Sequence, residues 1–225
     1  MILENRQIAV EFWGDYACFS APYARVERMT YPAPTPTAAI GMLSAIYCKK
    51  SEFYWEIDRI EVLNPIRYIS IQRNEIKKKV NRNLDYLCVD ETGKDGVRTQ
   101  RQTIAVADAR YRIVAHIVPR ENYKKKIDDL YKQAERRIRT GQCYYQPAMG
   151  LREFVAYFEM SDGKQTPIPV DFDMGWVVHD LWDMHDWKSK TGNYKVKRTM
   201  FHCFAKQGVI SVPPRGANVI KQGGI

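Results

Sequence analysis

Apolar residues in this chain repeat with period 2, then 3.6, then 2 twice more, then 3.6 again, and that order constrains the fold more than anything else in the sequence. In "QIAVEFWGD" (7 to 15), Ile8, Val10 and Phe12 share one face and Ala9, Glu11 and Trp13 the other, which predicts a strand stopped by Gly14-Asp15. "YPAPTP" (31 to 36) is extended, because each proline pushes its predecessor out of the helical region. Thr35 then reads as an N-cap with Pro36 at the first helical position. The helix runs to about Tyr47, with Ile40, Leu43 and Tyr47 on one face. "YWEIDRIEVLNPIRYISIQ" (54 to 72) alternates and breaks at Asn64-Pro65, and "QTIAVADARYRIVAHIV" (102 to 118) reads as a β-hairpin turning near Ala107-Asp108. Residues 121 to 139 form a second helix with the stripe Tyr123, Ile127, Leu130, Ala134 and Ile138, ended by Gly141.

Strand, helix, strands, helix is an α+β pattern of the ferredoxin-like kind. Beyond it, "REFVAYFEM", "PVDFDMGWVV" and "MFHCFAKQGVISVP" are short strands. The expected division is a ferredoxin-like domain over 1–145, with a basic hairpin or loop insertion, and a smaller antiparallel β-rich domain over 146–225. A chain of 225 residues with 45% hydrophobic and 12% aromatic content can bury a real core. No run of 18 apolar residues occurs. The start "MILENRQIAVEFWGDY" lacks an uninterrupted apolar segment, so it reads as the beginning of the fold of a cytoplasmic protein with no membrane partner. Five scattered cysteines without a CxxC pair imply neither a disulfide framework nor a zinc knuckle, and read as reduced core thiols.

The formal charge of +9 favours an anionic partner, and its distribution sharpens the point. The last 39 residues hold eight Lys/Arg and no acid, ten Lys/Arg lie between Arg110 and Arg139, and "RNEIKKKVNR" carries five against one acid. Three such segments suit a surface that follows a polyanion. Lys77, Lys78 and Lys79 of that third segment, with Arg98 and Arg101, flank the weakly hydrophobic "DETGKDGVRTQRQ" and are candidates for gripping the phosphates of a polyanion.

"IYCKK" sets the phenol of Tyr47 just before Lys49 and Lys50. Tyr47 is either the last core residue of its helix or a group facing a phosphodiester, where nearby cations would lower its pKa. Lys124, Lys125 and Lys126 stand in the expected first turn of the second helix, against the helix dipole, unless lysines and free amides together hold phosphate. Arg120, Arg136 and Arg137 add charge nearby. In "YRIVAHIV", Arg112, Val114 and His116 share one strand face, placing an imidazole beside a guanidinium where it could move a proton. Base-stacking candidates are Trp13, Tyr16, Tyr111, Tyr144 and Tyr145, while Phe12 reads as core. Asp171, Asp173, His179, Asp180, Asp183, His185 and Asp186 are ligand types for a divalent metal but follow no diagnostic spacing.

Five segments taken in order, "VEFWGDYACFSAP", "MTYPAPTPTAAIGMLSAIYCKK", "GQCYYQPAMGLREFVAYF", "DMGWVVHDL" and "FHCFAKQGVISVP", resemble the Cas-five family of CRISPR-associated proteins, of the type I-C (Dvulg) subtype in the RAMP superfamily. The resemblance implies an RRM-like domain followed by a β-rich one. It also implies an endoribonuclease that needs no metal or other cofactor. Such a protein cuts precursor CRISPR RNA at the base of the repeat hairpin, by 2′-OH attack leaving a 2′,3′-cyclic phosphate. It then retains the 5′ handle beside the backbone and large subunits of Cascade, and DNA remains open as a further partner. The family's tyrosine falls on Tyr47 and its lysine on Lys124 or Lys125. Its Lys-His pair is not reproduced, because Lys follows Lys here, which leaves His116 as the substitute candidate. A handle-binding subunit without cleavage and a metal-dependent nuclease using 171–186 are the alternatives.

Overall fold

The computed structural model describes residues 6–24, 26–77, 97–180, 198–217 and 221–222. In chain order the elements are β1 (Ile8–Ala17), β2 (Phe19–Ser20), β3 (Arg28–Tyr31), α1 (Pro36–Ile46), β4 (Phe53–Val62), β5 (Arg67–Ile76), β6 (Arg98–Pro119), a 3-10 helix (Glu121–Lys126), α2 (Ile127–Arg139), β7 (Tyr157–Met160), β8 (Phe172–Asp180), β9 (Thr199–Ala205), β10 (Val209–Ser211) and β11 (Lys221–Gln222). Strands β4, β6, β1 and β7 lie side by side and antiparallel. With α1 following β1 and α2 following β6, this is the ferredoxin-like arrangement. β10 extends the sheet beyond β4, and β3 joins it parallel to β6, so the large sheet is mixed. β11, β9 and β8 make a second, small antiparallel sheet. The α+β expectation with a smaller C-terminal sheet therefore holds.

The core lies between the large sheet and its two helices. Alternation sends Val10 and Phe12 of β1 and Tyr111, Ile113 and Ile117 of β6 to one face, where they meet Leu43 and Ile46 of α1 and Leu130, Ala134 and Ile138 of α2. Thr35 caps α1 by accepting from Ala38 N at 3.3 Å, and Pro36 opens the helix. Gly141 closes α2 at φ +67, with Gln142 N donating to Arg137 O at 2.9 Å.

Several expectations are corrected. β1 does not stop at Gly14-Asp15 but runs on to Ala17, because Tyr16 and Ala17 find partners in Ala107 and Val106. Residues 102–118 are no hairpin: they lie within one 22-residue strand, β6, which changes partner along its length. Its first part, Arg98 to Ala107, pairs with β5, and Tyr111 to Pro119 pairs with β4. The change falls at Asp108, which sits at φ +51 and is held by Arg67 at 3.0 Å. The hairpin arm is thus β5 with the start of β6. Residues 121–126 form a 3-10 turn, and α2 begins only at Ile127. β7 spans only Tyr157–Met160, yet it pairs with β1, while β10 pairs with β4, so the large sheet draws strands from both sides of residue 145.

Candidate functional site

The last carbonyls of a helix have no intrahelical partner. At the end of α1, three of them are taken by distant parts of the chain. Ala45 O accepts from Tyr144 N at 2.8 Å and Tyr145 N at 3.0 Å. Ile46 O accepts from Arg137 Nη1 at 3.3 Å, and Tyr47 O from Trp55 Nε1 at 2.9 Å. The negative end of the helix dipole favours the arginine there. The Arg137 guanidinium lies 5.5 Å from the Tyr47 ring centroid, and its Nε is buried without a hydrogen-bond partner among the described residues. Tyr47 itself is 3% exposed, with its ring 4.9 Å from that of Phe53. Burial raises its pKa above the ordinary phenol value, against the opposing pull of Lys49 and Arg137. The expected lowering by cations is therefore overcome by desolvation, and Tyr47 is a neutral phenol near pH 7.

The loop after Tyr47 carries the cations. Lys49 binds Glu52 at 3.0 Å, and that hydrogen bond raises its pKa. Lys50 is exposed. Arg120 N donates to Glu52 O at 2.7 Å and its Nε to Lys50 O at 3.3 Å, so the 3-10 turn starts against this loop. Lys124 is paired with Glu121 at 2.8 Å, Lys125 is exposed, and Lys126 lies 5.8 Å from the Tyr123 ring. The expected clash of these lysines with the helix dipole disappears, because Asp128 and Asp129 occupy the first turn of α2 and the lysines precede it. Arg136, Arg137 and Arg139 lie in its last turn.

Other predicted residues are not brought to this place. His116 pairs across the sheet with Glu56, while its neighbours Ala115 and Ile117 point into the core with Tyr47. It therefore stands on the opposite sheet face, with Nδ1 2.9 Å from Asp58, a bond that raises its pKa. Arg112, expected on RNA, is buried and engaged by Glu11 at 2.9 Å, Glu61 at 2.6 Å, Ser161 at 2.7 Å and Gln165 O at 2.7 Å. Burial alone would raise the Glu11 carboxyl, but hydrogen bonds from Arg110 and Arg112 outweigh it and hold its pKa below the usual value. Tyr111, a stacking candidate, is wholly buried and donates to Pro32 O at 2.8 Å. On the hairpin arm, Arg28 and Arg101 both bind Glu75 at 2.8 Å, and Arg73 pairs with Glu153. Lys77 is exposed at the tip of β5, whereas Lys78 and Lys79 lie outside the described residues.

The acidic cluster does not converge within its described part. Asp171 accepts from Gln207 N at 2.6 Å, Asp173 lies 3.3 Å from His202, His179 bonds Pro213 O at 2.8 Å, and Asp180 pairs with Arg215 at 2.6 Å. Asp183, His185 and Asp186 lie outside the described residues. Of the cysteines, Cys18 and Cys203 are buried thiols as expected, while Cys48 is exposed and Cys143 half-buried. Sequence reasoning missed Trp55, which fixes the end of α1, and the link between Tyr144-Tyr145 and that same end. Only the doubled aromatic after a helix-ending glycine hinted at the latter.

A family model described as CRISPR-associated protein (Cas_Cas5) matches residues 7–223. The chain is 37% identical over 245 residues to the CRISPR pre-crRNA endoribonuclease Cas5d of Mannheimia succiniciproducens, covering 98% of this chain and 100% of that protein. It is 35% identical over 180 residues to the protein of the same name from Thermus thermophilus, covering 80% of this chain and 75% of the other. Its fold is similar to that of a solved CRISPR-associated protein, with a TM-score of 0.65 at 20% identity and 97% coverage of each chain.

Proposed function

This chain belongs to the Cas5 family of CRISPR-associated proteins, in its type I-C (Cas5d) branch, and on that premise we propose that it is an endoribonuclease that cleaves precursor CRISPR RNA. It keeps the 5′ handle as a subunit of Cascade beside the backbone and large subunits. The observation that carries this reading to particular residues is the end of α1, where one phenol, an incompletely bonded guanidinium and the Lys49-Lys50 loop meet. Cleavage at an RNA phosphate can proceed by attack of the adjacent 2′-OH, giving a cyclic phosphate and a 5′-hydroxyl leaving group. It needs a base, a side chain or a water, to take the 2′-OH proton, cations on the phosphorane and a proton for the departing oxygen. Arg137, Lys50 and Lys125 supply charge, with Lys124 and Lys126 in support and Lys49 held by Glu52, while Arg120, whose guanidinium lies over Tyr54, holds the Lys50 carbonyl instead. As a neutral phenol, Tyr47 suits hydrogen-bond or proton donation better than the role of base. His116, on the other sheet face, takes no part in this centre, and no metal is needed for these steps.

The test is cleavage of a labelled repeat hairpin in EDTA by the wild type, Tyr47→Phe and a Lys124→Ala/Lys125→Ala double variant. Tyr47→Phe keeps the buried ring, so the fold should survive while cleavage falls about 10²-fold or more. Loss of the wild-type cut in EDTA would favour a metal-dependent nuclease. Tight binding with no cut under any condition would favour the second reading, a handle-binding subunit, for which the burial of Tyr47 and the absent Lys-His pair speak.

A further inference from the structure

The tyrosine pair after α2 is unusual in its surroundings. Tyr144 and Tyr145 are 69% and 67% exposed, with rings 4.5 Å apart at 75°. Large aromatics left in water are ordinarily mobile, but these are mounted on a fixed backbone. Gly141 ends α2 three residues earlier, Cys143 packs against the core, and both tyrosine N–H groups bond the same carbonyl, Ala45 O. One ring gives a floor and the other a wall, and the arginines Arg136, Arg137 and Arg139 of the last turn of α2 lie just before them in the chain.

Resting on the reading of the α1 end as an RNA-cleaving centre, we propose that Tyr144 and Tyr145 form the binding site for one unpaired nucleobase flanking the scissile phosphate. A base held there sets which phosphodiester reaches Tyr47. The chemistry follows from three points. Ala45 is two residues from Tyr47, about 3 Å along a helix axis, so pair and phenol share one rigid mount. Aromatic faces hold any base by stacking, without reading its edges. A base paired within a stem offers no free face, so the occupant must come from a single-stranded flank. A pre-ordered aromatic pair also loses little side-chain freedom on binding.

The experiment places 2-aminopurine, one position at a time, in the unpaired flanks of a repeat hairpin and follows its fluorescence on adding the full-length protein in EDTA. One position should be quenched by the wild type and by Tyr144→Phe and Tyr145→Phe. In Tyr144→Ala and Tyr145→Ala the quench should vanish, affinity should fall about tenfold, and the single cut should spread to neighbouring phosphates. Both side chains are exposed, so unchanged thermal unfolding will show that the alanine variants fold. Quenching that survives both alanine substitutions overturns the proposal, and is the result expected if the pair instead docks a protein. Quenching needs binding only. A wild type that binds and quenches without cutting therefore refutes the cleavage reading and the register role, yet leaves the base site standing. A wild type that binds no repeat RNA overturns both.

Discussion

Replacing Arg112 by leucine would discriminate a structural arginine from an RNA-contacting one. The Arg112 side chain is 7% exposed and lies between Glu11 and Glu61, themselves 4% and 7% exposed. Arg112→Leu leaves two buried carboxylates short of a counter-charge, a loss of about 3–5 kcal/mol. Glu11 keeps Arg110 at 2.6 Å and Glu61 keeps Arg59 at 2.7 Å, which points to the lower part of that range. At about 2–4 °C per kcal/mol for a chain of this size, the melting temperature should fall by roughly 6–12 °C or more. The deficit should depend on pH. In the wild type the depressed Glu11 pKa contributes stability that is present above its unfolded value and lost as pH falls through the folded one. In the variant Glu11 loses the Arg112 hydrogen bond that helps hold its pKa down and protonates more readily, so the gap to wild type should be widest near pH 7 and narrow towards pH 4. Adding Glu11→Leu and Glu61→Leu should recover most of the loss, because removing every buried charge avoids the desolvation cost. The assay is thermal unfolding by circular dichroism at several pH values, with RNA affinity measured against salt. A melting change below about 2 °C, or a salt slope reduced by about one, would refute the reasoning and return Arg112 to the phosphate contacts.

Other outcomes follow from neighbouring features. His116 has a raised pKa through its bond to Asp58, so this pair contributes stability fully present below about pH 6.5 and lost as pH rises through the folded value. His116→Gln should remove about 1 kcal/mol at pH 5.5 and little at pH 9, measured by urea unfolding, and cleavage should be unchanged. Gly150 adopts φ +89, and a Cβ there would lie 2.0 Å from Cys18 O. Gly150→Ala should therefore cost about 1–3 kcal/mol or more, or shift the 147–156 loop away from β1, seen as a lower denaturation midpoint.

How much of this was legible before any fold was known depends on the range of the interactions involved. The chain's own order of periods determined the α+β class. Helix α1 was readable almost to the residue, since its cap at Thr35, its Pro36 start and its end at Tyr47 are set by groups within a few positions. The alternation around Arg112 and His116 was read correctly as two faces. What lies over such a face is a tertiary matter: Ser161 and Gln165 come from about fifty residues away to close on Arg112. The hairpin expected within 102–118 failed for the same reason, because β6 is one strand whose partners, β4 and β5, both precede it in the chain. Charge patterning pointed to a polyanion but not to its address, since Arg73, Arg110, Arg112 and Arg215 are bonded to carboxylates that only folding brings near. Composition and local periodicity thus determined the class, the ends of α1 and the expectation of an anionic partner. Only the three-dimensional packing decided that Tyr47 is a buried neutral phenol, and that Arg137 and the Tyr144-Tyr145 pair share its helix end. Both depend on desolvation and on carbonyls left open for distant donors, which no window of sequence contains.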